Sequence, residues 1–247
     1  MVFMADDIFS KFSPLFEIPE NLIYLDGNSL GPLPKNASKA ISNVTVNEWG
    51  KLLIKGWNQS GWMDQPEKLG NNIATLLGAK KGTVTVGDTL SLKVYQSLAS
   101  ALQITSKRGV VLSDDGNFPS DIYIANSLLK QKNLSPVRLV KPEAIEKELI
   151  KGDVSILMLT QVDYRTGRVH DIAKLTDIAK QEGIITIWDL AHSIGALCLN
   201  VDKDDIDFAV GCTYKYLCGG PGSPAFIYVK PDHIPKIDPE IAGWLGH

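Results

Sequence analysis

Apolar residues recur along this chain at two spacings, and the switches between them mark out alternating helices and short strands. Residues 6–20 read as a leading helix with a turn at Pro14 and Pro19. From Asn36 to about Lys55, the apolar positions Ala37, Ala40, Ile41, Val44 and Trp49 fall at helical spacing. Trp57 and Trp62 bracket a Gly/Ser/Asn stretch that reads as a loop, and 66–77 reads as a helix closing on Gly78 as its C-cap. Residues 83–86 form a short strand, and 87–91 lead through a polar turn into a helix running to about Ile104. A strand at 109–113 passes through Asp114, Asp115 and Gly116 into Asn117-Phe118-Pro119-Ser120-Asp121, with helix following to about Lys130. Residues 137–140 read as strand, and 142–150 as helix with Glu143 and Lys147 as an i, i+4 charge pair. The wholly apolar VSILMLT, 154–160, requires a central strand buried on both faces. A helix at 172–181 follows, then apolar strands at 184–188 and 208–210.

Strands and helices alternating with short connections predict a mainly parallel, doubly wound α/β sheet with flanking helices. Ser91, Phe118, Tyr164, Asp189 and Lys215 each come just after a strand, and that edge of an open α/β sheet is where ligands bind. At 247 residues, 44% hydrophobic and 21% charged, the chain can bury a sizeable core in one large domain or two small ones. A net charge of −3 gives no electrostatic reason to expect nucleic acid or an anionic membrane as partner. No apolar run approaches membrane-spanning length, and MVFMADDIFSKF lacks the apolar segment of a signal peptide. Cys198, Cys212 and Cys218 make no CxxC pair; they read as reduced thiols of a cytoplasmic protein and as small apolar fillers rather than as a metal site.

The densest chemical signal is DFAVGCTYKYLCGGPGSPAF, 207–226. A buried strand ends in small residues, then Lys215 stands between Tyr214 and Tyr216 ahead of a glycine–proline loop. A lysine there either snorkels to the surface or, partly desolvated, offers a nucleophilic amine. Asp189, at the end of the 184–188 strand, is either a cap and turn former or the counter-charge of a cationic ligand group. Together, a strand-end aspartate and a strand-end lysine suggest pyridoxal phosphate chemistry, with the acid keeping the pyridine nitrogen protonated and the amine condensing with the aldehyde. His192 follows Asp189 by three residues, so a helical turn would put both on one face, where the histidine either orients Asp189 or reaches the cofactor. The polar turn before Ser91 has the geometry of an anion-binding helix start, or is simply a capped helix. Asn117 to Asp121 also reads as an ordinary helix start, and Arg168 and His170 as surface or helix-start residues.

YLDGNSLGPLP (24–34), NFPSD (117–121), WDLAHS (188–193), GCTYKYLCGGPGSPAF (211–226) and GWLGH (243–247) together resemble the kynureninase family. These are pyridoxal phosphate enzymes of fold type I, related to class V aminotransferases. The resemblance runs from about residue 20 to the last residue, with order and spacing kept. It implies that Lys215 carries the cofactor, Asp189 pairs with its ring nitrogen, and Tyr214 bonds its phosphate and relays a proton. It further implies Leu90 and Ser91 at the phosphate, Phe118 stacked on the ring with Asp121 below, and His192 near the ring oxygen. Asn28 and Ser29 are placed near substrate, and Trp244 reaches a phosphate across a homodimer interface. Residues 1–60 then form an N-terminal segment and active-site wall, and 61–247 the cofactor-binding large domain. A small C-terminal domain, with the arginine that clamps the substrate carboxylate, is expected beyond it or on a partner chain. The implied reaction is hydrolysis of L-kynurenine or 3-hydroxykynurenine to the anthranilate and L-alanine, in tryptophan catabolism. The rivals are a cysteine desulfurase-like enzyme, which needs a mobile cysteine that Cys218 fills poorly, and a non-catalytic or cofactor-binding-only subunit.

Overall fold

The computed structural model describes residues 10–244. Residues 6–9 of the expected leading helix, and Leu245 to His247 of the GWLGH motif, lie outside the described residues. The rest of that leading stretch is not helix: a 3-10 turn, Ser13–Leu15, with Pro14 in its first turn, runs into the two-residue strand Phe16–Glu17 (β1). β1 pairs antiparallel with Leu33–Pro34 (β2). The helical spacing after Asn36 does form helix, as Ala37–Asn43 (α1), a π-helical turn Val44–Trp49, Gly50–Leu52 (α2) and a 3-10 turn Leu53–Lys55. Its apolar face is not covered, since Ile41, Val44, Trp49, Leu53 and Ile54 are all exposed. The stretch between Trp57 and Trp62, expected as loop, begins as a helical turn, Gly56–Gln59 (α3), and only Ser60 and the left-handed Gly61 break it.

The remainder is built on a seven-stranded sheet. Gln65–Leu77 (α4) precedes Val84–Gly87 (β3); Leu90–Ile104 (α5) precedes Val110–Asp114 (β4); Pro119–Gln131 (α6) precedes Arg138–Val140 (β5). Ile145–Leu149 (α7), Val154–Thr160 (β6), Ile172–Gln181 (α8), Ile185–Asp189 (β7), Phe208–Cys212 (β8) and Ala225–Val229 (β9) complete the order. The spatial order is β3-β9-β8-β7-β6-β4-β5, with β8, β7, β6, β4 and β5 paired in parallel and β9 antiparallel to both neighbours. β6 is buried at every residue, as its unbroken apolar run requires.

Alternation along the strands sorts the core into two layers. Leu112, Leu157, Leu159, Trp188, Ala209, Phe226 and Tyr228 pack toward α4, α7 and α8. Val111, Ile156, Met158, Ile187, Phe208, Val210 and Ile227 pack toward α5 and α6. Helices on both faces make this the doubly wound arrangement. The helix before β6 departs from expectation, starting as a 3-10 turn, Pro142–Ala144, and pairing Glu146 with Lys174 and Glu148 with Lys151 and Arg138. Glu143 and Lys147 make no ion pair among the described residues. Before the sheet, between Phe16 and Lys55, nothing is buried.

Candidate active site

Because β9 alone runs backward, the C-terminal ends of β3, β4, β6, β7 and β8 share one edge. Chain order reverses between β4 and β6: β5 lies on one side of β4, while β6, β7 and β8 step away on the other. A crevice opens at such a reversal. Phe118, just after β4, and Tyr164, just after β6, meet across it edge to face, with ring centroids 5.0 Å apart.

Lys215 stands over the Phe118 ring and is buried. Its Nζ is 2.7 Å from His192 Nε2, 5.5 Å from the Phe118 centroid and 5.7 Å from the Tyr214 centroid. The His192 ring in turn faces Tyr164 at 6.4 Å and Phe118 at 6.3 Å. The expected bond from His192 to Asp189 does not form; the histidine turns instead to the lysine, and Asp189 accepts from the Ala191 N–H at 2.8 Å. Burial, reinforced by the neighbouring Lys215 charge, pushes the His192 imidazole down to about 4. A neutral ring that accepts at Nε2 carries its proton on Nδ1. That buried Nδ1 has no partner, so an acceptor is missing there.

Two carboxyls complete the base of the site. Burial raises Asp189, although the Ala191 N–H and the Lys215 charge pull the other way. Burial, and then the Asp189 charge beside it, raise Asp121 well above the usual carboxylate range. Two adjoining buried carboxyls resist both being charged, so the pair retains a proton to a higher pH than a free carboxyl does. Tyr214 is pushed up to about 12 by burial and by Cys212, so its phenol keeps its proton.

A network that the sequence pattern did not single out locks this base. Asn117 Oδ1 accepts from the Phe118 N–H at 2.6 Å and from the Thr160 hydroxyl, while its Nδ2 donates to Ser113 Oγ at 2.8 Å and to the Met158 carbonyl at 3.3 Å. The signal for it in the sequence is polar residues placed at the ends of otherwise apolar strands. Of the two residues expected at the surface or at a helix start, Arg168 is half-exposed and His170 directly precedes the N-cap Asp171, but His170 is not at the surface. His170 is buried and lies 2.6 Å from Asp114 Oδ2, which also accepts from Arg168 at 2.8 Å. Burial alone would raise Asp114; the bonds and charges of His170 and Arg168 hold it lower. Asp163, likewise buried, accepts from the Arg165 N–H at 2.8 Å and so shapes the loop that carries Tyr164.

The remaining candidates lie around this centre. Thr89 caps α5, accepting from the Leu92 N–H at 3.3 Å, with Leu90 and Ser91 in the first turn. No hydrogen bond links them to Lys215; Ser91 lines a surface groove of about 350 Å³ with Tyr95, Ile124, Ser127 and Gln131. Asn28 and Ser29 sit in a turn closed by the Ser29 hydroxyl on Asp26 at 2.7 Å. That turn rests on the lysine loop, with the Gly31 N–H donating to the Tyr214 carbonyl at 2.9 Å. Trp244 is 73% exposed, packs on Trp57 at 5.7 Å and stands apart from the lysine cluster. Among the described residues no cluster of metal-ligating side chains occurs, and no helix is long and apolar enough to cross a membrane.

Residues 23–243 match the family model described as aminotransferase class-V. A kynureninase of Pseudomonas fluorescens is 42% identical over 98% of this chain and 60% of its own length. A kynureninase of Deinococcus radiodurans is 42% identical over 94% of this chain and 57% of its own. The chain thus spans about 60% of the length of these curated relatives. Among solved structures, the cysteine desulfurase CsdA from Escherichia coli superposes with a TM-score of 0.77 at 18% identity, covering 95% of this chain and 61% of that one. A C-DES variant with glycine covalently linked to its PLP cofactor gives 0.76 at 18% identity, covering 96% and 63%. At such identities the structural matches speak for the fold.

Proposed function

From a chain that belongs to the class-V aminotransferase family, we propose a pyridoxal phosphate-dependent kynureninase, cleaving L-kynurenine or 3-hydroxykynurenine with water to the anthranilate and L-alanine. The carrying observation is the buried Lys215 amine, boxed by Phe118, Tyr214 and His192 at the edge where Asp189 and Asp121 meet. The 42% identity to kynureninases across nearly the whole chain favours this substrate over that of the cysteine desulfurases, whose likeness is in fold alone.

The residues fit the cofactor: an orphan His192 donor, an over-full acid pair and an amine converge on one crevice. When bound, pyridoxal phosphate supplies an aldehyde for amine capture and a protonated ring that takes up the electron pair left by bond cleavage. Lys215 Nζ would hold the aldehyde end, and the freed amine would take the substrate's α-proton. Asp189, with Asp121 beside it, would keep a proton on the ring nitrogen. Phe118, braced from the side by Tyr164, would cover one face of the ring against water. The first turn of α5, through Leu90 and Ser91, binds the phosphate with free N–H groups and a hydroxyl. The Tyr214 phenol, protonated at neutral pH, would give a proton to the β-carbon that becomes the alanine methyl. Water attacks the substrate's γ-carbonyl, so the Cβ–Cγ bond breaks hydrolytically.

In this reading residues 1–60 form the active-site wall carrying Asn28 and Ser29, and 61–247 form the large domain. The partner is a second copy of the chain, whose Trp244 reaches the neighbouring phosphate, or a chain carrying the carboxylate clamp. Three free thiols support a reducing, cytoplasmic setting. The test is to mix the purified chain with pyridoxal phosphate, reduce with borohydride and map the modified peptide, beside kynurenine turnover. A pyridoxyl group on Lys215, absent from Lys215→Ala, together with anthranilate release supports the reading. Loading without turnover reduces this chain to a cofactor-binding part, and no loading overturns the proposal.

A further inference from the structure

The DGNSLGP turn docks on the main chain of the lysine loop. The Gly31 N–H donates to the Tyr214 carbonyl at 2.9 Å. A Cβ at Gly31 would fall 2.2 Å from the Lys215 carbonyl oxygen and 2.7 Å from Cys218 Sγ. Cys218 stands in the left-handed region at φ 55°, returning its N–H to the Lys215 carbonyl at 2.9 Å, so this loop has little freedom to yield. Gly27 differs: a Cβ there would meet only the Tyr216 ring at 3.7 Å, an ordinary contact. The turn itself is held by the Tyr24 hydroxyl, which donates to the Leu30 carbonyl at 2.7 Å.

We propose that Gly31 is a positioning residue: it clamps the Tyr214–Lys215 backbone, and thereby sets where the Lys215 amine stands. This rests on the reading of Lys215 as the cofactor-bearing amine. A side chain at Gly31 forces the turn off the lysine loop, because two of the three atoms it meets, the Lys215 carbonyl oxygen and Cys218 Cα, are backbone. Nothing between Phe16 and Lys55 is buried, so undocking leaves the sheet and its two core layers intact.

The experiment compares pyridoxal phosphate, which condenses with the amine, with pyridoxamine phosphate, which cannot. In Gly31→Ala the affinity for pyridoxal phosphate and the borohydride-trapped fraction on Lys215 fall about tenfold or more, while pyridoxamine phosphate affinity changes less than about twofold. Gly27→Ala matches the wild type with both ligands. Should Gly31→Ala not fold, Tyr24→Phe, which loosens the turn alone, shows the same selective loss at about two- to fivefold. Equal losses of both ligands, or no loss of either, overturn the clamp. A wild-type chain that captures neither compound overturns the reading of the site and the clamp with it; where the wild type loads normally, a failed prediction counts against Gly31 alone.

Discussion

Asp121 and Asp189 are two buried carboxyls on one side of Lys215, and the cofactor-free chain carries the cost of holding them together. The folded state keeps a proton on Asp121 to a higher pH than the unfolded chain does, whose carboxyl releases it near 3.8. Stability from this group is therefore complete below that value and is lost as pH rises through the raised one. Each unit of such a shift is worth about 1.4 kcal/mol. Asp121→Asn should raise the melting temperature of the cofactor-free chain at neutral pH by about 3 °C or more. The gain should vanish on acidification below the ordinary carboxylate range, and the same variant should bind pyridoxal phosphate less tightly. Melting curves across pH decide it; a lower melting temperature at neutral pH would mean that the Asp121 charge is a net stabiliser through Lys215. His192 carries the opposite sign, since its depressed value makes stability fall as pH drops from the ordinary imidazole range toward 4. At this scale the sequence was legible wherever chemistry sits at a strand end, as for Lys215, Asp189 and Phe118. It was not legible where partners lie far apart in the chain, as for Asn117 with Thr160 or Asp114 with His170. Only the sheet brings those together.

Among the elements, α4 shows how closely helix and sheet are fitted. Gly70 faces β3, and a Cβ there would lie 2.0 Å from the Val84 carbonyl oxygen. Alanine in a helix interior normally gains about 0.5–1 kcal/mol over glycine. Here the backbone contact reverses the sign, since overpacking costs about 1–3 kcal/mol. Gly70→Ala should lower the melting temperature by several degrees while leaving cofactor affinity within about twofold, because α4 stands off the edge that carries Lys215. A thermal melt that rises instead would show that α4 slides along β3. Spacing alone located α4, α5 and β6 to within a residue or two, because long periodic helices and unbroken apolar runs have few alternatives. By contrast, α6 begins at Pro119, three residues before the periodic run. Spacing did not mark β9, Ala225–Val229, as a strand, nor could it give its direction. Ala225–Val229 is as apolar as the parallel strands of the sheet, and what reverses it is a connection from Cys212 that contains no crossover helix. Nor could the helical spacing of Ile41, Val44 and Trp49 say what covers that face, since a period marks a face without naming its partner.

For the whole molecule, the site is a junction between distant stretches of chain: the turn holding Gly31, the starts of α5 and α6, the loop after β6, and the ends of β7 and β8. A ligand seated there ties these stretches together in the folded state alone, so its binding energy appears as stability of the entire sheet. At a free concentration one hundred times its dissociation constant, a single bound ligand adds about 2.7 kcal/mol. For a domain of this size, each kcal/mol moves the melting temperature by about 2–4 °C. Pyridoxal phosphate should therefore raise the melting temperature of the described fold by roughly 5–10 °C. Lys215→Ala should keep only part of that rise, because the phosphate and ring contacts persist without the covalent link. Calorimetry with pyridoxal phosphate, and with inorganic phosphate as the control for the α5 turn alone, separates the contributions. A shift of less than about a degree at saturating pyridoxal phosphate would mean that the crevice between β4 and β6 does not form a cofactor site in this chain alone. A full shift that survives in Lys215→Ala would mean that the site binds the ring and phosphate while the amine does not engage.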